Sequence, residues 1–295
     1  MLTTLFKHEM RATAKTFMWF YIAFAAIAIV NALINPFAMG SASANGAMQT
    51  LGMPGAFIPD AIRGIIMALY SIAATVVVVV TIVIIILRFF RNLLGDEGYL
   101  MMTLPVTREQ HILAKLFAAV IWSVCTAVLV FLSFLLMLQS AGVLTEIVKG
   151  INELIASGTP VNRWIAQFVL LLLVGTVSSV LMLYAAMGIG PNLLKNRVGG
   201  SILAYIIIYI ASQFVMLGII VSTVSAIRID PGMAQAAVGT GSNAPLPAAG
   251  LGMVTDTIVS AVDTFVLSAI IGTAAMAVVY WFLTVFMLKR KLNLA

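Results

Sequence analysis

From Ile65 to Leu87 no charged side chain interrupts the chain, and within that run every residue of Val77–Ile86 is β-branched. By propensity such a tract favours a strand. An isolated strand in lipid would leave its edge N–H and C=O groups unpaired, whereas a helix pairs them internally, so a run of this length is expected to cross a bilayer as a helix. Five further apolar runs follow the same rule, near Met18–Leu33, Leu116–Leu138, Trp164–Met187, Ser201–Ser222 and Phe265–Leu288. Each approaches the ~20 residues that span ~30 Å of hydrocarbon. With 62% hydrophobic and 9% charged residues over 295 positions, little is left from which to build a separate soluble domain. The expectation is an all-α polytopic membrane protein, a single transmembrane domain over residues 1–295.

The basic residues orient it. With the N-terminus inside, Lys7, Arg11, Lys15, Arg88, Arg91, Arg108, Lys115, Lys195, Arg197, Lys289, Arg290 and Lys291 face the cytoplasm, against Arg63, Lys149, Arg163 and Arg228 outside. That asymmetry follows the positive-inside rule and places both termini in the cytoplasm. The net charge of +6 is thus a topology signal and a contact with anionic lipid, not a nucleic-acid footprint.

Leu2, Leu5, Phe6, Met10, Ala14 and Phe17 share one helical face beside the Lys7, Arg11, Lys15 stripe, so Met1–Phe17 is expected to be an amphipathic interfacial helix ahead of the first span. Cleavage of a leader at Ala42-Ser43-Ala44 is disfavoured by the long polar start, which contains Glu9, and by the length of the apolar run. Leu144, Ile147, Val148, Ile151, Leu154 and Ile155 repeat at helical spacing and predict a surface helix between spans three and four. Thr255–Asp263 predicts another, short one before the last span. Gly188 to Pro191 is expected to end the fourth span, and Gly199-Gly200 precedes the fifth.

The longest charged interruption on the cytoplasmic side is Arg88–Lys115, RFFRNLLGDEGYLMMTLPVTREQHILAK. Asp96 can cap a short helix with Glu97 in its first turn. Pro105 forces Leu104 into an extended conformation. Thr107 to Gln110 forms a capping box for the next helix. The short helix carries Tyr99, Leu100, Met101 and Met102, an apolar cluster that water-facing loops do not leave uncovered. It either folds back on its own bundle or docks a separate protein.

The stretch Arg88–Val106 resembles the loop between the second and third membrane helices of ABC-2 type transporter permeases, the transmembrane subunits of bacterial ABC exporters, notably their Gram-positive branch. The resemblance implies an ABC-2 type permease fold with six transmembrane helices and an N-terminal interfacial helix, in the bacterial plasma membrane. It implies a coupling helix docked on a cytosolic ABC ATPase subunit, with Gly95, Asp96, Glu97, Gly98, Tyr99, Leu100, Met102, Thr103, Leu104 and Pro105 at the contact. It also implies a second permease copy or a similar permease, and cofactors (ATP and Mg) held by the partner ATPase rather than by this chain.

No G-x-x-x-x-G-K-[ST] loop occurs, so a phosphate-loop ATPase activity is not expected here, and the chain is expected to be non-catalytic. Cys125 is the single cysteine, and His8 and His111 lack metal-pair spacing. Asp96, Glu97, Glu109 and His111 are accounted for by capping and solvation, so no metal site is expected. The six apolar runs hold no charged residue, which disfavours an ion-coupled carrier or channel. A non-transporting scaffold or sensor is the other alternative. Asn31, Ser123, Thr126, Gln167, Ser178, Ser179 and Gln213 are the polar groups within the spans; Gln213, Asn31 and Ser123 are the candidates for lining a pathway, against interhelical bonding. Gly175 with Ser179 and Ser268 with Gly272 have close-packing spacing. A weakly polar interior suits an amphipathic or hydrophobic cargo such as a peptide, drug or lipid.

Overall fold

The computed structural model describes residues 2–34, 60–90, 108–140, 143–156, 158–194, 196–226 and 248–291. Among them the chain forms seven helices and no strand: α1 (Leu2–Ile34), α2 (Asp60–Phe89), α3 (Arg108–Ser140), α4 (Val143–Ala156), α5 (Val161–Leu193), α6 (Arg197–Ala226) and α7 (Ala248–Lys291). All except α4 are long and apolar enough to cross a bilayer, so this is a multi-pass membrane protein. The β-branched tract Val77–Ile86 lies wholly within α2, as backbone pairing in lipid requires.

The chain divides into two compact units, Met1–Glu153 and Leu154–Ala295. In the first, α1 packs on α3 and α2. Its buried stripe is Glu9, Thr13, Phe17, Phe24, Ala28 and Asn31, at spacings of one or two turns. Phe24 and Ala28 meet Tyr70 and Val77 of α2 and Met137 of α3, with Tyr21, Ala73, Ala74, Leu129 and Val130 around them. Lipid is as apolar as these side chains, so this packing is held by close contact and by polar bonds between helices rather than by escape from water.

In the second unit α5 packs along α7 and α6. Its half from Ser178 to Gly190 is the buried one, with Tyr184, Ala185, Ala186 and Met187 enclosed. Small residues permit the approach. A Cβ on Gly200 would fall inside the contact shell of the Gly190 carbonyl, and one on Gly190 would strike the Ser201 backbone. Gly272 receives Ile219 of α6, and Thr223 Oγ1 donates to Ser268 Oγ at 3.0 Å, so the Ser268/Gly272 pair is a close-packing position as expected. Gly175 has open space where its Cβ would be, so it makes no close helix contact among the described residues. The turn from α4 into α5 uses Gly158 at φ 83°, with Gly158 N–H donating to Ile155 O and Thr159 N–H to Leu154 O, which closes the helix end.

Three helix boundaries differ from the sequence expectation. The helix α1 runs unbroken through residues 17 and 18, where an interfacial helix was expected to give way to a span. Leu2–Ile34 contains neither Gly nor Pro to break it, and the buried stripe crosses that point without a change of face. The segment Thr255–Asp263 is not a separate surface helix but part of α7, which starts directly after Pro247 and meets no further proline. Pro191 does not stop α5, which continues to Leu193. A proline there removes one N–H in the last turn, a small loss where the preceding residues are anchored by packing on α6 and α7.

Candidate functional site

The coupling-loop residues Gly95, Asp96, Glu97, Gly98, Tyr99, Leu100, Met102, Thr103, Leu104 and Pro105 lie outside the described residues. The helix ends that flank them do not. Arg88 sits one residue before the end of α2, and Lys115 two turns into α3, so these two cations bracket the connector 91–107.

Both cations converge on one carboxylate. Glu9 Oε1 accepts from Lys115 Nζ at 2.7 Å, and Glu9 Oε2 accepts from Arg88 Nε. Glu9 is 6% and Lys115 5% exposed, while the Arg88 side chain retains 24%. Removing such groups from water is costly unless each is paired and hydrogen-bonded, and here one carboxylate serves two cations, one from each of two other helices. Glu9 therefore ties α1 to both ends of the connector.

The turn bearing Glu9 is itself braced. Thr13 Oγ1 donates to the Glu9 carbonyl at 3.0 Å and accepts from Trp122 Nε1 at 2.9 Å. Phe17 stacks on the Trp122 ring with centroids 4.4 Å apart. Farther along, Tyr21 Oη pairs with Thr126 Oγ1 at 2.7 Å and donates to the Trp122 carbonyl at 3.1 Å, and Thr126 meets Thr81 of α2 at 3.0 Å. Tyr70 pairs with Ser133 at 2.8 Å. The inner face of this three-helix unit is thus a ladder of polar bonds with the ionic cluster at its connector end.

Lys7, Arg11 and Lys15 are exposed on the opposite side of α1. Sequence reasoning treated Glu9 as part of a polar leader and missed its role. The legible signal was its angular position. At 100° per residue Glu9 lies nearly opposite the basic stripe, where it cannot pair with those cations, and one and two turns before Thr13 and Phe17.

Of the pathway candidates, Asn31 and Ser123 belong to the first unit and Gln213 to the second. Asn31 is buried in the first unit, its Nδ2 donating to Ile66 O at 3.1 Å, while Oδ1 has no partner among the described residues. Ser123 is half-buried on α3, next in sequence to Trp122. Gln213 is exposed on α6 in the second unit. Thr126 belongs to the ladder, and Gln167 Oε1 is buried with no partner among the described residues.

At the far end of the second unit, Asp263 of α7 accepts from Arg163 Nη1 at 2.8 Å and from Trp164 Nε1 at 3.0 Å, both at the start of α5. No group of His, Cys, Asp and Glu among the described residues could hold a metal ion. Among the described residues the Glu9 cluster is an electrostatic joint between three helices. No protein-family model matches the chain, and neither a curated protein nor a solved structure shows significant similarity to it.

Proposed function

We propose that this chain is the transmembrane permease subunit of an ATP-binding-cassette exporter, in the bacterial plasma membrane with both termini cytoplasmic. It would assemble with a second permease and with cytosolic ATPase subunits that hold ATP and Mg. The cargo class is amphipathic or hydrophobic. The observation that carries this reading is the double anchoring of the connector: Arg88 before it and Lys115 after it are both fixed to Glu9 of α1. A connector that served only to join two spans would need no buried ionic tie at each end. One that receives force from a partner needs its ends rigidly joined to the helices it moves. The apolar cluster Tyr99–Met102 in that connector, and its resemblance to a coupling helix, point the same way.

The test is co-purification of the tagged chain with its ATPase. Tyr99→Ala with Leu100→Ala should weaken the contact by about 2–4 kcal/mol, as loss of a buried hot spot does. Retention of the ATPase at the parent stoichiometry would refute the docking assignment.

A second reading gains weight from Glu9 itself. Ionisable residues within spanning helices mark ion pathways, and Glu9 falls within the candidate span Leu5–Leu33. Its two cationic partners argue against it as a cation site. Uptake by liposomes holding this chain alone, driven by an ion gradient without ATP, would favour that reading over the exporter.

A further inference from the structure

The three charges of the ionic cluster come from three helices, and no two of them are neighbours in sequence. Arg88 lies one residue before the end of α2, and Lys115 is a buried cation on α3 beyond the connector 91–107. Glu9 begins the face of α1 that is buried from there to Asn31. Each carboxylate oxygen serves one cation, so the tie to α2 and the tie to α3 are separate bonds sharing a single rigid group. Thr13 and Trp122 fix the height of the turn that carries it.

We propose that Glu9 is a positioning residue: its carboxylate sets the separation of the two connector ends and passes any displacement of either end to α1. The connector then has two mechanical outputs, its covalent joins to α2 and α3 and the ionic joins to α1. Breaking one ionic bond frees one end while the other still follows α1. A spread of the ends beyond hydrogen-bond reach must break at least one of the bonds, so the cluster resists separation of the two helix ends. The positioning role stands on the geometry alone. Its use in transport, as the route by which a partner ATPase moves the first span, rests on the exporter reading.

The experiment uses the full chain with Cys125→Ser, spin-labelled at Leu87→Cys and Phe117→Cys and reconstituted in lipid nanodiscs. Both sites are exposed and lie beside Arg88 and Lys115. Pulsed electron resonance then reads the separation of the connector ends. The parent should give one narrow distance. Glu9→Gln, which keeps shape and removes charge, should lengthen or broaden it by about 5 Å or more, one helical turn, with helix content unchanged. A distribution identical to the parent's would overturn the proposal. Should Glu9→Gln fail to insert, Arg88→Gln and Lys115→Gln each leave the carboxylate one cation. Each should widen the distribution, and no change in both would equally overturn it. Glu9→Asp, one methylene shorter, should restore most of the narrow peak, which a purely space-filling role for Glu9 does not predict. The exporter reading is judged separately, by whether Tyr99→Ala with Leu100→Ala loses the ATPase, while the positioning role is judged by these distances alone.

Discussion

Phe17 of α1 and Trp122 of α3 stack with ring planes 13° from parallel, and the same indole donates its N–H to Thr13 one turn earlier on α1. One tryptophan therefore fixes both the spacing and the register of two helices. The next step along the ladder, Tyr21 to Thr126 and Thr81, brings in the third helix. Polar bonds of this kind choose one register among many that would be almost equally favourable between smooth apolar helices.

Trp122→Phe keeps the stacking and deletes the donor. It should cost about 0.5–1.5 kcal/mol, the range of a membrane interhelical hydrogen bond. Thr13→Val should cost a similar amount, and the double variant little more than either, because both remove the same bond. Unfolding in mixed detergent–SDS micelles gives all three values.

Glu9→Gln leaves Arg88 and Lys115 without their carboxylate in a site where Lys115 is 5% exposed. The expected loss is about 3–5 kcal/mol. Replacing the whole cluster, with Glu9→Leu, Arg88→Met and Lys115→Met together, should recover most of it, since apolar groups of similar volume have no desolvation to offset. Thermal unfolding of the parent, Glu9→Gln and the triple variant in detergent should show the triple variant above Glu9→Gln. The reverse order would mean that the ionic cluster is itself the main source of stability.

The same change of carboxylate to amide at Asp263 should be far milder. Arg163 is 63% exposed at its side chain, so water screens that pair and hydrates the guanidinium when it is lost. Asp263→Asn also keeps an oxygen for the Trp164 N–H. A loss below about 1 kcal/mol is expected from the same unfolding assay.

Gly200→Ala and Gly175→Ala separate a glycine needed for helix contact from one that is not. At Gly200 the new methyl meets backbone, the Gly190 carbonyl, and backbone does not give way as a flexible side chain would. Destabilisation of about 1–3 kcal/mol is expected. At Gly175 nothing lies within 4 Å, so alanine should be neutral or stabilising by up to about 1 kcal/mol through helix propensity. Paired melting curves decide it.

The sequence by itself determined that the chain crosses a membrane, where its long apolar helices run, and that Val77–Ile86 is helical despite its strand propensity. Those follow from hydrocarbon thickness and the need to pair every backbone group, rules that act on composition along the chain. It did not determine the merging of residues 2–17 with the first span, the passage of α5 through Pro191, or the difference between Gly175 and Gly272. Above all it did not reveal that Glu9 is buried between Arg88 and Lys115. Each of these depends on what a distant helix presents at one point in space: 79 and 106 residues separate Glu9 from its two partners. Helical periodicity tells which face a side chain occupies, while a partner on that face exists only once the helices have packed.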